Sequence, residues 1–123
     1  MASSTAPLRR VLVRRPPEDV SDWKQYRWLA APDSTALAVE HEMLCAALEE
    51  AGAEVVVAEP TTLDAIYVYD PALIADDGAV LLRPGKPERR TEVEPLGAEL
   101  ERAGVPIVHR LEEPLLAEGG DFV

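Results

Sequence analysis

The chain has 123 residues, of which 47% are hydrophobic and 28% are charged, as expected for one compact globular domain. Its net charge of -11 argues against nucleic acid or an anionic membrane as a partner, because both would repel it, but is compatible with a small cationic ligand. The single cysteine excludes an internal disulfide and a cysteine-rich metal site. No apolar run approaches the ~18 residues of a membrane span. Residues 1–8 lack a secretory signal, so we expect a frayed terminus and a cytoplasmic protein.

The first predicted element is a short apolar strand at 10–14, which is followed by an aromatic loop at 15–33. The loop contains Trp23, Tyr26 and Trp28. Long loops of this kind are often lids or binding loops, so we expect a lid around Trp23. The alternative, that the aromatic side chains pin the loop to the core, stays open.

A helix is predicted over 35–51, because Asp33 and Ser34 offer an N-cap and Gly52 stands at the C-terminal cap position. A β-branched strand at 55–57 should follow. The apolar residues recur at three- and four-residue steps, and the face predicted to be buried consists of Leu37, His41, Leu44, Leu48 and Ala51.

A buried strand is predicted at 65–68, with Asp64 just before it and Asp70 just after it. Pro71 should end the strand, because proline has no N–H to donate. Binding sites of α/β proteins are often built at strand ends, which makes Asp70 a candidate site residue. The alternative is a turn aspartate that caps the next segment.

The second half of the chain contains a basic loop at 83–90, and Thr91 with Glu94 fits a capping box for a helix that continues to Ala103 and is capped by Gly104. The strands predicted in this half are 79–82, 107–108 and 122–123.

An internal repeat relates the two halves of the chain. Residues 48–56 match residues 100–108 at an offset of 52, and Asp70 and Asp121 are 51 residues apart. Each unit is predicted to be a strand, a loop, a helix, a strand and a further strand that ends at an aspartate. A third unit begins at the C-terminus, so the sequence looks cut. A closed ring of several units would bury the open sheet edges and bring the repeated carboxylates together at one axis.

Several motifs, taken together, resemble those of the guanidine-modifying enzymes, the pentein superfamily. They are the segment 66–70, Arg83-Pro-Gly followed by 89–92, and Glu118-Gly-Gly-Asp121, and the resemblance runs from about Val11 to the last residue. The pattern of motifs most resembles that of the dimethylarginine dimethylaminohydrolases, and arginine deiminases and amidinotransferases are relatives of that group. The resemblance implies an α/β fold, a five-fold propeller of ββαβ modules. Residues 1–123 would form about two modules and the start of a third, an incomplete single domain whose C-terminal half is absent.

The resemblance also implies roles for individual residues. Asp70 and Glu118 would hold the guanidinium nitrogens of an arginine-like substrate, with Glu118 as the catalytic member. Asp64 would line the substrate pocket, Arg89 would bind the substrate carboxylate, and the Trp23 region would close over the site. The nucleophilic cysteine and the general-acid histidine of the family would lie in the missing half.

Two further positions are expected to line the substrate site. Tyr69 stands where many dimethylarginine hydrolases carry a glutamate, which leaves the identity of the guanidine open. Asp121 is the positional equivalent of Asp70 in the repeat. Neither a metal nor a cofactor is predicted.

The chemistry of the guanidinium group agrees with this interpretation. A guanidinium is planar and permanently charged, and its paired N–H groups match carboxylates in strong charge-assisted hydrogen bonds. Two opposed carboxylates would hold the carbon for attack, and the cation between them would keep both ionised. The alternative for Asp70 and Glu118 is a pair of ordinary turn acids. Arg89 and Arg90 precede a helix N-terminus, which favours anions, but they would also fit a solvated pair.

Cys45 is the only thiol in the chain and therefore the only candidate for a cysteine nucleophile within it. It lies inside the first predicted helix, far from the helix N-terminus that could lower its pKa, and His41 lies one turn before it. This spacing favours a packing role for both side chains. His109 receives no role.

The sequence therefore predicts the N-terminal half of a guanidine hydrolase that works through a cysteine thiouronium intermediate. Its substrate would be a small cationic guanidino compound. A homodimer, or pairing with a missing C-terminal half, stays open as a protein partnership. The rival predictions are an amidinotransferase of the same fold and, from another class, a non-catalytic acidic α/β binding module.

Overall fold

The structure, a computed structural model, describes residues 6–122 and divides into two compact units. One unit is Leu8–Ile66, and the other is formed chiefly by the residues from Tyr67 onward. Most of the predicted frayed terminus and the last residue of the predicted strand 122–123 lie outside the described residues. No helix within 6–122 is long and apolar enough to cross a membrane.

The first unit is a strand–helix–strand unit, as predicted. Strand β1 (Arg10–Arg14) pairs in parallel with β2 (Glu54–Ala58), and helix α1 (Ser34–Glu50) connects them. The Asp33 side chain caps α1 by accepting hydrogen bonds from the backbone N–H groups of the first turn, at 2.9 and 3.1 Å. Gly52 has φ +100° just after the helix, which confirms the predicted C-terminal cap.

Helix α1 is less buried than its apolar periodicity predicts. Leu37, His41 and Leu48 are half-buried, whereas Leu44 is 51% exposed and Ala51 is exposed. None of the α1 residues is fully buried. The reason is that α1 packs chiefly on β2, because one strand in a sheet with ~4.8 Å spacing cannot cover a helix ~10 Å across.

The second unit contains a three-stranded sheet in the order β3-β4-β5. Strand β3 (Ala72–Ala75) is antiparallel to β4 (Gly78–Leu81), and β4 is parallel to β5 (Ile107–Arg110). Helix α2 (Val93–Arg102) connects β4 to β5, so the unit has the order ββαβ. Leu96 and Leu100 of α2 are buried. A Cβ at Gly97 would lie 2.9 Å from Cδ1 of the fully buried Leu81, so α2 packs closely on β4.

The prediction of a strand at 65–68 is wrong. Leu63–Ile66 is a 3-10 helix, and a turn follows it up to Pro71. The strand comes after Pro71 instead, where proline at the strand entry needs no N–H, and the Pro71 carbonyl accepts from Leu82 N at 2.8 Å. Periodicity could not decide the assignment, because an apolar run of four residues fits a buried helical turn as well as a strand.

Two smaller predictions in the second unit are also wrong. The N-cap of α2 is Glu92, without a side-chain cap, so Thr91 and Glu94 form no capping box. The second half of the predicted basic loop belongs to a 3-10 helix, Pro87–Glu92, which runs directly into α2 and leaves no extended cap residue. At the C-terminus, Gly119–Asp121 is a 3-10 turn, and Phe122 is extended but belongs to none of the strands within 6–122.

Candidate functional site

A buried ion pair between Arg89 and Glu92 forms the centre of the candidate site in the second unit. Arg89 Nε donates to Glu92 Oε2 at 3.0 Å, and Nη2 donates to Oε1 at 2.8 Å. Their side chains are only 6% and 2% exposed. The two residues are three positions apart on a short 3-10 helix, and this turn places their side chains on the same face, where they meet. This two-bond arrangement fixes the plane of the guanidinium group.

The same guanidinium reaches the predicted clamp residue Asp70. Arg89 Nη1 donates to Asp70 Oδ2 at 2.7 Å, and Nη2 also donates to the carbonyl oxygen of Tyr67 at 3.2 Å. The Tyr67 ring centroid lies 5.9 Å from Arg89 Cζ, within the range of a cation–π contact. The Asp70 side chain stays 28% exposed. Asp70 therefore accepts a guanidinium, here that of Arg89, and keeps contact with solvent.

The charges of this cluster reinforce one another. Burial on its own lowers the pKa of Arg89, but the hydrogen bonds and negative charges of Glu92 and Asp70 outweigh it and raise the pKa above its ordinary value. The guanidinium is thus charged at every physiological pH. Arg89, Asp70 and Glu92, here called the cluster, contribute one cation and two carboxylates, so these three side chains together carry one net negative charge.

The segment that carries Glu118 lies against Asp70. Gly119 N donates to the Asp70 carbonyl oxygen at 2.9 Å. A Cβ at Gly119 would lie 2.2 Å from the carbonyl oxygen of Tyr69, so a side chain at this position would clash with the backbone. The structure thereby brings together three of the predicted site positions, Tyr69, Asp70 and Glu118, within the second unit.

Glu118 and Asp121 are linked by reciprocal hydrogen bonds. Asp121 Oδ2 accepts from Glu118 N at 2.8 Å, and the Glu118 side chain accepts from the Asp121 backbone. Glu118 is half-buried, Asp121 is exposed, and Tyr69 is 63% exposed. The capping interaction holds the tight turn at 118–121 in place, and this local role of Asp121 was not anticipated from the sequence.

Asp64 belongs to the first unit and is 4% exposed. Its Oδ1 accepts a hydrogen bond of 2.7 Å from Trp28 Nε1, and Tyr26 of the same loop is 5% exposed. These contacts anchor the aromatic loop, which favours the pinning alternative for Tyr26 and Trp28. Trp23 is half-buried, and Lys24 Nζ lies 5.4 Å from the centroid of its ring, in a cation–π contact. Its action as a lid stays a prediction.

The Cys45–His41 pair on α1 is local to the helix. Cys45 Sγ lies 3.6 Å from His41 Nε2, and both side chains are half-buried. Burial, with the nearby positive charge of Arg15, lowers the pKa of His41. Among residues 6–122, no group of three or more potential ligands is arranged to hold a metal ion.

Sequence reasoning missed Glu92 as a member of the cluster and Tyr67 as a contact of Arg89. The spacing of Glu92, three residues after Arg89, is the signal that could have identified the ion pair once a helical turn was assigned there. The wrong strand at 65–68 concealed the position of Tyr67.

No family model matches the sequence. Among characterised proteins, the chain is 26% identical over 117 residues to dimethylarginine dimethylaminohydrolase of Pseudomonas aeruginosa. The match covers 94% of this chain and 46% of the relative, so the chain spans about half the length of that enzyme.

Solved structures of dimethylarginine dimethylaminohydrolases also resemble this chain. The P. aeruginosa enzyme in complex with citrulline superposes with a TM-score of 0.79 at 26% identity, over 93% of this chain and 46% of the other. A dimethylarginine dimethylaminohydrolase adduct with 4-chloro-2-hydroxymethylpyridine gives a TM-score of 0.77 at 26% identity, over 93% and 44%. The N-terminal domain of ArgZ, an arginine dihydrolase of cyanobacteria, shares the fold, with a TM-score of 0.75 at 21% identity over 89% and 42%.

These similarities confirm the resemblance that the motifs predicted. In sequence and in fold, the chain is similar to the N-terminal half of dimethylarginine dimethylaminohydrolases of the pentein superfamily.

Proposed function

We propose that this chain supplies the guanidinium-binding half of a hydrolase that cleaves a C–N bond in an arginine-like guanidino compound. In the complete enzyme, its two units would form about two ββαβ modules of a five-fold α/β propeller, followed by the start of a third. The relatives are about twice as long, which supports the proposal that the activity would need residues outside this chain.

One observation carries the proposal, namely that the Asp70 carboxylate accepts a guanidinium at 2.7 Å while its side chain remains partly open to solvent. The Gly119–Asp70 backbone hydrogen bond supports Glu118 as the second carboxylate, because it ties the Glu118 segment to Asp70. Two carboxylates would hold the guanidinium nitrogens and leave the central carbon open to attack.

The reaction would follow the chemistry of a thiol nucleophile. A thiolate from outside this chain attacks the guanidinium carbon, and the amine leaves with a proton to give a thiouronium. Water then adds to the same carbon, the thiolate departs, and a ureido product such as citrulline remains. Cys45 does not fit this step, because it lies in the interior of α1 with His41 as its neighbour. The 123-residue chain alone should therefore be inactive.

The other predicted site residues keep subsidiary roles in the proposal. Asp64 and Asp121 line the substrate site, Arg89 binds the substrate carboxylate, and Tyr69 influences which guanidine is accepted. The Trp23 region acts as the lid. A C-terminal half would supply the residues that this chain lacks, and the protein would act in the cytoplasm, where it could also form a homodimer.

Binding of L-arginine to the 123-residue chain tests the proposal. We expect L-arginine to shift backbone amide NMR signals around Asp70, and Asp70→Asn to weaken binding at least tenfold, since it removes the charged acceptor. Asp77→Asn removes one exposed carboxylate from the β3–β4 turn and is the matched control. Unchanged affinity in Asp70→Asn would contradict the proposal.

Citrulline formation is the second measurement on the same samples. We expect no turnover by the chain, with or without Cys45→Ser. Turnover that is abolished by Cys45→Ser would show that the nucleophile lies within the chain and would refute this part of the proposal.

A further inference from the structure

We propose that Glu92 is a positioning residue that sets the affinity of Asp70 for a guanidinium ligand by acting through Arg89. The inference rests on the proposed function and adds a residue and an electrostatic mechanism to it. Glu92 itself is buried, so it would act without contacting the ligand.

Geometry is the first argument. Glu92 accepts two hydrogen bonds from the Nε and Nη2 atoms of Arg89, and Nη1 of Arg89 donates to Asp70 Oδ2. The Tyr67 carbonyl oxygen adds a third anchor at Nη2. A guanidinium held on one edge in this way cannot rotate to take both oxygens of Asp70. Arg89 therefore holds Asp70 by Oδ2, and Oδ1 is the oxygen that would bind the ligand.

Charge is the second argument. Asp70 and Arg89 alone would form a neutral pair, and a neutral pair has little attraction for a cationic ligand. Glu92 restores one net negative charge to the cluster. Because the Arg89–Glu92 pair is almost wholly removed from solvent, water screens this charge only weakly. Glu92 thus prevents the internal guanidinium from cancelling the charge of Asp70.

The decisive experiment compares Glu92→Gln with Glu94→Gln in the 123-residue chain, with methylguanidinium as the probe, because it has no carboxylate that Arg89 could bind. Glutamine keeps the shape of Glu92 but removes its charge, so we expect about tenfold weaker binding. Glu94 pairs with Arg110 on the exposed surface, at 3.0 Å, and its substitution should leave the affinity within about twofold. Equal affinities of the two variants would overturn the inference.

A double variant separates electrostatic control from a merely structural role. Arg89→Gln combined with Glu92→Gln removes both buried charges and returns the cluster to one negative charge on Asp70. Its affinity for methylguanidinium, which has no carboxylate for Arg89 to bind, should lie within about threefold of the unsubstituted chain and above that of Glu92→Gln. If Glu92 only supports the fold, the double variant binds no more tightly than the single one, which would overturn the inference. If circular dichroism shows that Glu92→Gln is unfolded, the double variant alone decides. A loss of affinity in the double variant as large as that of Asp70→Asn would then overturn the inference.

The Asp70→Asn variant distinguishes the two levels of the proposal. If Asp70→Asn and Glu92→Gln both bind as the unsubstituted chain does, or if the unsubstituted chain does not bind L-arginine, the proposed function fails and the inference fails with it. If Asp70→Asn loses affinity while Glu92→Gln behaves as Glu94→Gln, only the inference fails.

Discussion

The two units share a strand–helix–strand core but differ in how well the helix is buried. In the first unit, α1 has 17 residues and none of them is fully buried. In the second unit, α2 has 10 residues, and Leu96, Gly97 and Leu100 are buried. The second unit has three strands where the first has two. Helix α2 packs on two strands, β4 and β5, whereas α1 packs chiefly on β2.

The candidate guanidinium cluster lies in the better-packed unit. Its buried Arg89–Glu92 pair occurs where the 3-10 helix runs into α2. A buried charged pair needs a rigid surrounding, because its desolvation is offset only when every hydrogen bond is well made. Both units bury charged side chains, Asp64 in the first and Arg89 with Glu92 in the second, so the shared strand–helix–strand core supplies a common scaffold, and the second unit adds a buried pair of opposite charges.

Truncating one leucine in each helix should give the largest effect and tests the packing difference directly. Leu100→Ala removes a side chain that is 6% exposed and should lower the free energy of unfolding by about 3 kcal/mol. Leu44→Ala, at a position 51% exposed, should cost less than about 1 kcal/mol. Urea unfolding of both variants is the measurement. Similar losses would mean that α1 is packed as well as α2.

Adding a methyl group to either of two adjacent glycines tests the contact that holds the Glu118 segment beside Asp70. Gly119→Ala would place a Cβ 2.2 Å from the Tyr69 carbonyl oxygen and should lower the free energy of unfolding by about 1–3 kcal/mol. The control is Gly120→Ala, because a Cβ there meets nothing within 4 Å. Thermal unfolding should separate the two variants, and equal midpoints would show that the segment is not fixed at Gly119.

The pH dependence of stability should show the smallest effect and concerns the first unit. The pKa of His41 is lowered by burial and by Arg15, so the unfolded chain binds the proton more readily than the folded chain. The contribution of His41 is fully present above its ordinary pKa near 6.5 and is lost as the pH falls toward the lowered folded pKa.

Unfolding at pH 7.5 and pH 5 would test this effect. His41→Gln should lose less stability on acidification than the unsubstituted chain does. His109→Gln, at an exposed position of β5, is the control and should retain the unsubstituted behaviour. A drop in stability that is unchanged in His41→Gln would contradict the assignment.

The sequence by itself determined the repeated strand–helix–strand units, because β-branched runs, the Asp33 cap and Gly52 act within a few residues of one another. It also identified Asp70 and Arg89 as candidate site residues through the family motifs. Local rules were sufficient here, since a cap or a helix-ending glycine depends on its own turn and not on distant neighbours.

Only the tertiary structure decided how the charges pair. The short apolar run at 65–68 fitted both a strand and a 3-10 turn, and the structure has a 3-10 helix over Leu63–Ile66 with the strand after Pro71. The Arg89–Asp70 contact joins residues 19 positions apart, and the exposure of Leu44 depends on how many strands lie beneath α1. Both follow from the packing of whole elements, because burial and long-range ion pairs depend on which surfaces meet and not on local propensity.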